Sequence, residues 1–315
     1  MRAYVLYSFD EKARLADVSV PEPGPGQVRV RVLASSINPV DIATANGFFR
    51  SMHEYRFPAV QGRDFAGIVD TVGPQVTAYR PGDEVFGMVK RDYIGDGTFA
   101  EYVVVDQDRF LVKRPAALDR DAAGALGLAG VTALQCLDAL DLQPGDAVFI
   151  NGATGGVGSF AIQIGRSRGL HVIATARAGE EDRHVRELGA KDTIDWTTSD
   201  VAAAVRQLRP EGVRGVIDLV SRDTDSFLHI AGSASPDGTA VTTLSAAPAE
   251  STDGPAMVNI HSNSDPALLR RIADLAVEGH VRVPLVKVFS FEHIDEAFAL
   301  QATAPLGKVG LTVAT

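Results

Sequence analysis

The stretch "NGATGGVG", residues 151–158, follows the apolar run "AVFI" and precedes the apolar-periodic stretch "SFAIQIGR". A glycine-rich turn between a strand and a helix can cradle phosphates. Its glycines allow a tight bend, a close approach of backbone to pyrophosphate, and tight packing of helix on strand. The register is Ala153-Thr154-Gly155-Gly156-Val157-Gly158, with Gly155 and Gly158 at the second and third glycine positions and Ala153 at the first. The next strand tip selects the cofactor. An NAD site carries Asp or Glu about 20 residues on, accepting from the ribose 2′-OH. Here Thr175-Ala176-Arg177 stands instead. A guanidinium pairs with a 2′-phosphate that a carboxylate would repel. Arg177, helped by Thr175 and Arg183, therefore points to NADP(H); an exposed loop arginine without a ligand is the structural alternative.

Two styles of sequence must position these residues. In "QVRVRVLA", Val28, Val30 and Val32 alternate with polar residues, the period of a half-buried strand. "FAGIVDTVG", "GDEVFGMV" and "FAEYVVV" continue this β style, punctuated by "PEPGPG" and "RPGD". They predict a compact, mostly β domain of barrel type. After about residue 120, strands and helices alternate: "AVFI", "VGSFAIQIGRSR", "HVIAT", "EEDRHVREL", "KDTID", "DVAAAVRQL", "VRGVIDLV", "GTAVTTL". Stacked βαβ units predict a doubly wound parallel sheet, and the chain as a whole an α/β protein. A helix stripe of Leu268, Leu269, Ile272, Leu275 and Ala276 follows. The tail then returns to the style of the first domain.

The chain of 315 residues carries a formal net charge of −10, which disfavours nucleic acid or an anionic membrane as partner. The N-terminus lacks the apolar core of a signal peptide, and no stretch approaches the roughly 20 apolar residues of a membrane helix. With one cysteine, no intrachain disulfide forms. A cytosolic enzyme is expected. Cys136 lies in the helical pattern "VTALQCLDAL" and reads as a small core residue.

Taken in order, "SSINPVDIATANG", "FPAVQGRDFAGIVDTVG", "GDEVFG", "GTFAEYVVV", "GLAGVTAL", "NGATGGVG" and "GKVGLTV" cover nearly the whole chain. As a set they resemble the medium-chain dehydrogenase/reductase superfamily, in its zinc-independent quinone oxidoreductase branch. The resemblance implies a GroES-like β-barrel catalytic domain made by both chain ends, residues 1–118 and 281–315. Between them it implies an NADP(H)-binding Rossmann domain, residues 119–280. Where the zinc enzymes of the superfamily carry a cysteine and a Gly-His-Glu segment, this chain has Asn38 and Gly62-Arg63-Asp64. An amide and a guanidinium do not replace a thiolate and an imidazole as zinc ligands, so no metal is expected. Without a Lewis acid, an already conjugated acceptor suits hydride transfer better than a simple alcohol or ketone. The resemblance thus implies NADPH-dependent reduction of a quinone or an α,β-unsaturated carbonyl by direct hydride transfer.

By the same resemblance, Asn38 and Asp41 of "NPVD" sit beside nicotinamide and substrate, with Asn38 able to donate to a developing oxyanion. A turn-forming Asn before Pro explains the residue equally well. Ala43 stands where the branch often has a tyrosine, which hints at a roomier pocket walled by Phe48 and Phe49; those aromatics also suit a core. Arg63 and Asp64, adjacent in sequence, read as a local ion pair without a catalytic part. The implied cofactor residues add Thr132, Val220, Ser221, Leu244 and Ser245 to the glycine turn. Lys308 matches a family lysine near the cleft, though a surface lysine is the simpler reading. The segment "AMVNIH" resembles a late strand used in homodimer pairing, with Asn259 reaching the nicotinamide. Two rival readings remain: a stand-alone enoyl-reductase-like enzyme, and a non-catalytic NADPH-binding sensor or structural protein.

Overall fold

The structure is a computed structural model describing residues 1–249, 254–263 and 265–314. The chain divides into two compact units. The first comprises Met1–Leu128, Asn263–Glu278 and Leu285–Thr315; the second, Ala129–Ser262 and Gly279–Pro284. These bounds depart from 118/119 and 280/281. Residues 119–128 and the helix Pro266–Val277 fall in the first unit.

The spine of the first unit is the strand Gln27–Ile37. Its valines Val28, Val30 and Val32 are fully buried, as the alternation predicts. It pairs antiparallel with Asp64–Val72, Tyr102–Asp106 and Lys308–Thr312. The resulting sheet runs Leu285–Ser290, Lys308–Thr312, Gln27–Ile37, Asp64–Val72, Glu84–Met88, Leu111–Lys113. A second sheet runs Arg14–Asp17, Arg2–Leu6, Glu54–Val60, Tyr93–Asp96. Phe65, Phe99 and Phe110 fill the core together with Phe289, Val309 and Leu311 from the tail. This pairing sets Lys308 beside the end of the strand Gln27–Ile37, a neighbourhood that the linear sequence does not display. In the helix Pro266–Val277, Leu269, Ile272 and Ala273 are the buried positions. The expected stripe is therefore rotated by one residue, with Leu275 and Ala276 only partly covered.

The second unit holds a six-stranded, all-parallel sheet. Its order is Asp192–Ile194, His171–Thr175, Ala147–Asn151, Val213–Asp218, Ala234–Thr242, Ala256–Asn259. Numbered within the unit this is 3-2-1-4-5-6, the Rossmann order. The order reverses between Ala147–Asn151 and Val213–Asp218, so the crevice for a ligand opens beyond the carboxyl ends of these two strands. The helix Gly156–Ser167 is buried on every side from Gly158 to Gly165, with Phe160, Ala161, Ile162 and Ile164 as its apolar residues.

Candidate active site

In the first unit the strand Gln27–Ile37 ends at Asn38, whose extended backbone caps the short helix Pro39–Ala45. Proline at the first helical position suits the helix start, and Asp41 at the third reaches back to accept the Asn38 N–H at 2.8 Å. "NPVD" is thus a helix start that buries a carboxyl group, for Asp41 is 1% exposed.

The Asn38 amide is fully committed. Its Nδ2 donates to Asp64 Oδ2 at 2.9 Å and lies 3.4 Å from the Ser36 carbonyl, and its Oδ1 accepts from Lys308 Nζ. Asp64, wholly buried, is the hub. Oδ2 also accepts from Ser36 Oγ at 2.7 Å and faces Lys308 Nζ at 3.4 Å, while Oδ1 accepts from the Leu128 N–H at 2.6 Å. Lys308 is 2% exposed. A buried ion pair persists only when its remaining hydrogen-bonding capacity is met, and here it is.

This corrects two sequence expectations. Lys308 is no surface residue. The ionic partner of Asp64 is Lys308 rather than Arg63, and among the described residues Arg63 and Asp64 form no ion pair.

Asp41 meets the opposite environment. It lines a cavity of about 40 Å³ together with Thr44, Gln61, Arg63 and Arg91. Burial pushes its carboxyl up to about 6, against the opposing pull of the Arg63 charge and the Asn38 N–H. A group titrating there can hold or release a proton near neutrality. A second cavity of about 440 Å³ shares the Arg91 and Tyr93 wall and extends to Glu22 and Tyr102. Neither cavity is lined by Ala43, Phe48 or Phe49. Phe48 is 67% exposed and packs edge-on against Phe49, which is partly buried.

The donor set does not fit zinc. Asn38 and Arg63 supply neither thiolate nor imidazole, and the Asp64 carboxylate beside Asn38 is paired to an ammonium. Among the described residues, no group of three or more His, Cys, Asp and Glu side chains converges as metal ligands do.

In the second unit the glycine turn has the geometry of a phosphate seat. Gly152 adopts φ +83°. At Gly158 a Cβ would come within 2.5 Å of the Gly152 carbonyl, so only glycine lets the helix lie this close to the turn. A Cβ at Gly155, by contrast, would meet nothing nearer than 3.8 Å, leaving space on the ligand side. The amides of Gly156, Val157 and Gly158 precede the first intrahelical bond, Ser159 N–H to the Gly155 carbonyl at 2.8 Å. These are the unsatisfied donors that bind anions at a helix start. The residues fit a dinucleotide.

Around the turn, several side chains that the sequence assigned to the cofactor hold the protein itself. Thr175 Oγ1 accepts from the Gly152 N–H at 2.9 Å, and the residue is buried, so its hydroxyl shapes the turn. Ala153 and Ala176 are likewise buried. Asn259 bonds both ways to Ala247, at 3.0 and 2.9 Å, which ties its amide to that loop. Asp218, missed in the sequence, bridges the switch point. It accepts from Asn151 Nδ2 at 3.0 Å, Val220 N–H at 3.0 Å and Ser221 N–H at 3.2 Å. Val220 and Leu244 remain exposed at the carboxyl ends of their strands, Ser245 is left-handed at φ +59°, and Thr132 is buried.

Arg177 is not the free guanidinium expected. Its Nε and backbone N–H both donate to Glu181, each at 2.7 Å, and its guanidinium lies 5.9 Å from the centre of the Trp196 ring. Burial raises the Glu181 carboxyl, yet the bonds from Arg177 outweigh it and hold the group below its usual range. The strand tip is acid-free in sequence only. The first turn of helix Glu180–Leu188 brings Glu181 back to it.

Comparisons with known proteins agree with this geometry. Residues 24–116 match the alcohol dehydrogenase GroES-like domain, and residues 156–261 the zinc-binding dehydrogenase domain. The chain is 34% identical over 193 residues to the chloroplastic quinone-oxidoreductase QR1 of Triphysaria versicolor, covering 59% of this chain and 57% of that protein. It is 36% identical over 211 residues to phthioceranic/hydroxyphthioceranic acid synthase of Mycobacterium tuberculosis, 67% of this chain but 9% of that protein. The matched region thus spans little more than half, or far less, of these relatives. The quinone oxidoreductase from Coxiella burnetii superposes with a TM-score of 0.87 at 26% identity, covering 100% of this chain and 99% of the other. Among the described residues, no helix is long and apolar enough to cross a membrane. With a GroES-like unit, a Rossmann sheet and both family domains in place, the chain belongs to the medium-chain dehydrogenase/reductase family of oxidoreductases, which use a nicotinamide cofactor.

Proposed function

We propose that this protein is an NADPH-dependent reductase of quinones or α,β-unsaturated carbonyls that works without a metal. The observation that carries this reading is the buried Lys308 ammonium bonded to both Asn38 and Asp64, a charge-balanced cluster with no place for zinc. When bound, the cofactor supplies a hydride. The chain supplies its seat, a dry wall and a proton. Thr154, Gly155, Gly156, Val157 and Gly158 hold the pyrophosphate over a turn packed by buried Ala153, with Thr132, Val220, Ser221, Leu244 and Ser245 bordering the remainder. Asp218 and Asn259 keep the loops after their strands in shape.

Asn38 acts as a positioning residue, because its amide carries the Asp64–Lys308 pair. Asp41 is the proton reservoir: its protonated form supports protonation of the reduced acceptor, and Arg63 tempers the charge left behind. Hydride plus proton convert a quinone to its hydroquinone, while the reduced nicotinamide is oxidised. For an enone the hydride goes to the β-carbon and the proton to the α-carbon. Preference for NADP(H) requires Arg177 to exchange Glu181 for the 2′-phosphate, with Trp196 beside it. Assembly as a homodimer through the edge strand Ala256–Asn259 and a cytosolic location belong to the same reading.

The match to the synthase favours a second reading, reduction of an enoyl thioester. One substrate panel decides between them: 1,4-benzoquinone, a simple enone and crotonyl thioester, each with NADPH and with NADH. Fastest oxidation of NADPH by the quinone is expected. Fastest turnover of the thioester would favour the second reading. Tight NADPH binding with no turnover of any acceptor would make the protein a non-catalytic cofactor binder.

A further inference from the structure

Arg63 stands just before the strand Asp64–Val72 and is only partly exposed. Among the described residues its guanidinium makes no hydrogen bond, ion pair or ring contact. Every other arginine or lysine that is not fully exposed has a partner there; Arg29 has Asp70, Arg91 the Val104 carbonyl, Arg168 Asp138 and Lys308 Asp64. A half-covered cation without a partner costs free energy unless water or a ligand meets it. Arg63 lines the cavity of about 40 Å³ that Asp41 also lines. Its charge is felt on three elements. Burial raises the Asp41 carboxyl and Arg63 pulls it back; burial raises the Tyr55 hydroxyl, again against a pull from Arg63. Burial lowers the Lys90 ammonium, and the Arg63 charge lowers it further against the pull of Asp92. The other carboxylate of the lining, Asp96, is exposed and accepts from the Tyr93 hydroxyl. An anion placed at Arg63 would supply the missing partner and relieve the repulsion from Lys90.

Reduction creates such an anion. Hydride delivered to a quinone, or to the β-carbon of an enone, pushes an electron pair onto the carbonyl oxygen, which stays negative until a proton reaches it. The starting carbonyl carries no such charge, so a fixed cation beside the oxygen stabilises the reduced form more than the bound acceptor. A space of about 40 Å³ admits an oxygen but no ring, so an acceptor would reach Arg63 by its oxygen edge. We propose that Arg63 is a catalytic residue that binds the oxyanion left by hydride transfer, the electrostatic role that a Lewis acid would otherwise fill. The proton held by Asp41 then discharges it. The inference rests on the reductase reading above and assigns, within it, the group that takes the arriving charge, whichever conjugated acceptor is reduced.

The test uses the full chain loaded with NADP⁺, which has no hydride to give, and 4-nitrophenol, which becomes coloured on ionising to its phenolate. The visible absorbance of the bound probe is titrated against pH in wild type, Arg63→Met and Arg63→Lys. Wild type should bind the phenolate about tenfold more tightly than the phenol, so the bound probe ionises about one pH unit below the free one. Arg63→Met should lose most of that preference. Arg63→Lys keeps the charge but not the planar fork, and should retain part of it. With NADPH and an acceptor, kcat should fall about a hundredfold in Arg63→Met and less in Arg63→Lys. A probe that does not bind wild type, or ionises there at its free value, would overturn the proposal, marking a guanidinium met by solvent alone. An equal lowering in wild type and Arg63→Met would also overturn it, as would an unchanged kcat in that variant. If wild type holds the phenolate through Arg63 but oxidises NADPH with no acceptor, the reductase reading fails while the oxyanion site stands.

Discussion

Asp64 and Asp41 sit in one unit of the molecule, both buried, and solve the same problem in opposite ways. Around Asp64 every oxygen has partners: a serine, an amide, a backbone N–H and an ammonium. Around Asp41 there is one backbone donor, a cavity, and side chains with bonds to spare. The first arrangement is a scaffold, since nothing in it is free to meet a ligand without breaking the network. The second has unmet hydrogen-bonding capacity and a carboxyl tuned to about 6, which are the properties of a reaction site. Proximity in the chain to a family motif does not distinguish the two; the hydrogen-bond ledger does.

The largest effect that would break this comparison is expected at Lys308. Lys308→Met strands a buried carboxylate, which costs about 3–5 kcal/mol. Chemical denaturation should show that loss, and Lys308→Met combined with Asp64→Asn should recover much of it. A single variant as stable as wild type would mean the pair is no scaffold.

Asp41 should behave in the opposite sense. Its folded value of about 6 lies above the unfolded value of 3.8, so the native state binds the extra proton between these limits. Its burial penalty is absent below about pH 4, grows as pH rises, and is complete above about pH 6. Asp41→Asn should therefore be more stable than wild type at pH 8, by at most about 3 kcal/mol at 1.36 kcal/mol per unit. The gap should close below pH 4 in melting curves. Quinone reduction should fall about a hundredfold in this variant and lose its decline above pH 6. A variant less stable at pH 8, or a retained pH profile, would place Asp41 with the scaffold.

The smallest effect belongs to the pair of exposed Arg177 and largely covered Glu181 in the second unit. Arg177→Ala should weaken NADPH binding about tenfold and leave NADH almost unchanged. Glu181→Gln should tighten NADPH by a few-fold, because it releases the guanidinium. Equal loss of both cofactors in Arg177→Ala would remove Arg177 from 2′-phosphate recognition.

Much of the architecture was legible because it rests on local periodicity. The alternation at Val28, Val30 and Val32 and the strand–turn–helix around Gly152–Gly158 are written in consecutive residues. The site was legible only where its parts are local, as in the helix start Asn38–Asp41. Arg63 and Asp64 looked like a pair because they are neighbours. Successive side chains of an extended chain point apart, however, and Asp64 finds its cation 244 residues away. Glu181 was hidden in a similar way, since a single helical turn returned it to Arg177. Gln61 has no sequence signal beyond one polar residue in "PAVQG", and what marks it is that its buried amide has no partner among the described residues, which only packing reveals.

The central claim, that Lys308 stands in a charge-balanced cluster and the chemistry needs no metal, meets its most direct test in turnover after exhaustive chelation. Reduction of 1,4-naphthoquinone by NADPH is followed before and after dialysis against a chelator, with bound zinc measured on the same samples. Unchanged turnover with no stoichiometric zinc is the predicted result. Activity that disappears with the chelator and returns with added zinc would contradict it.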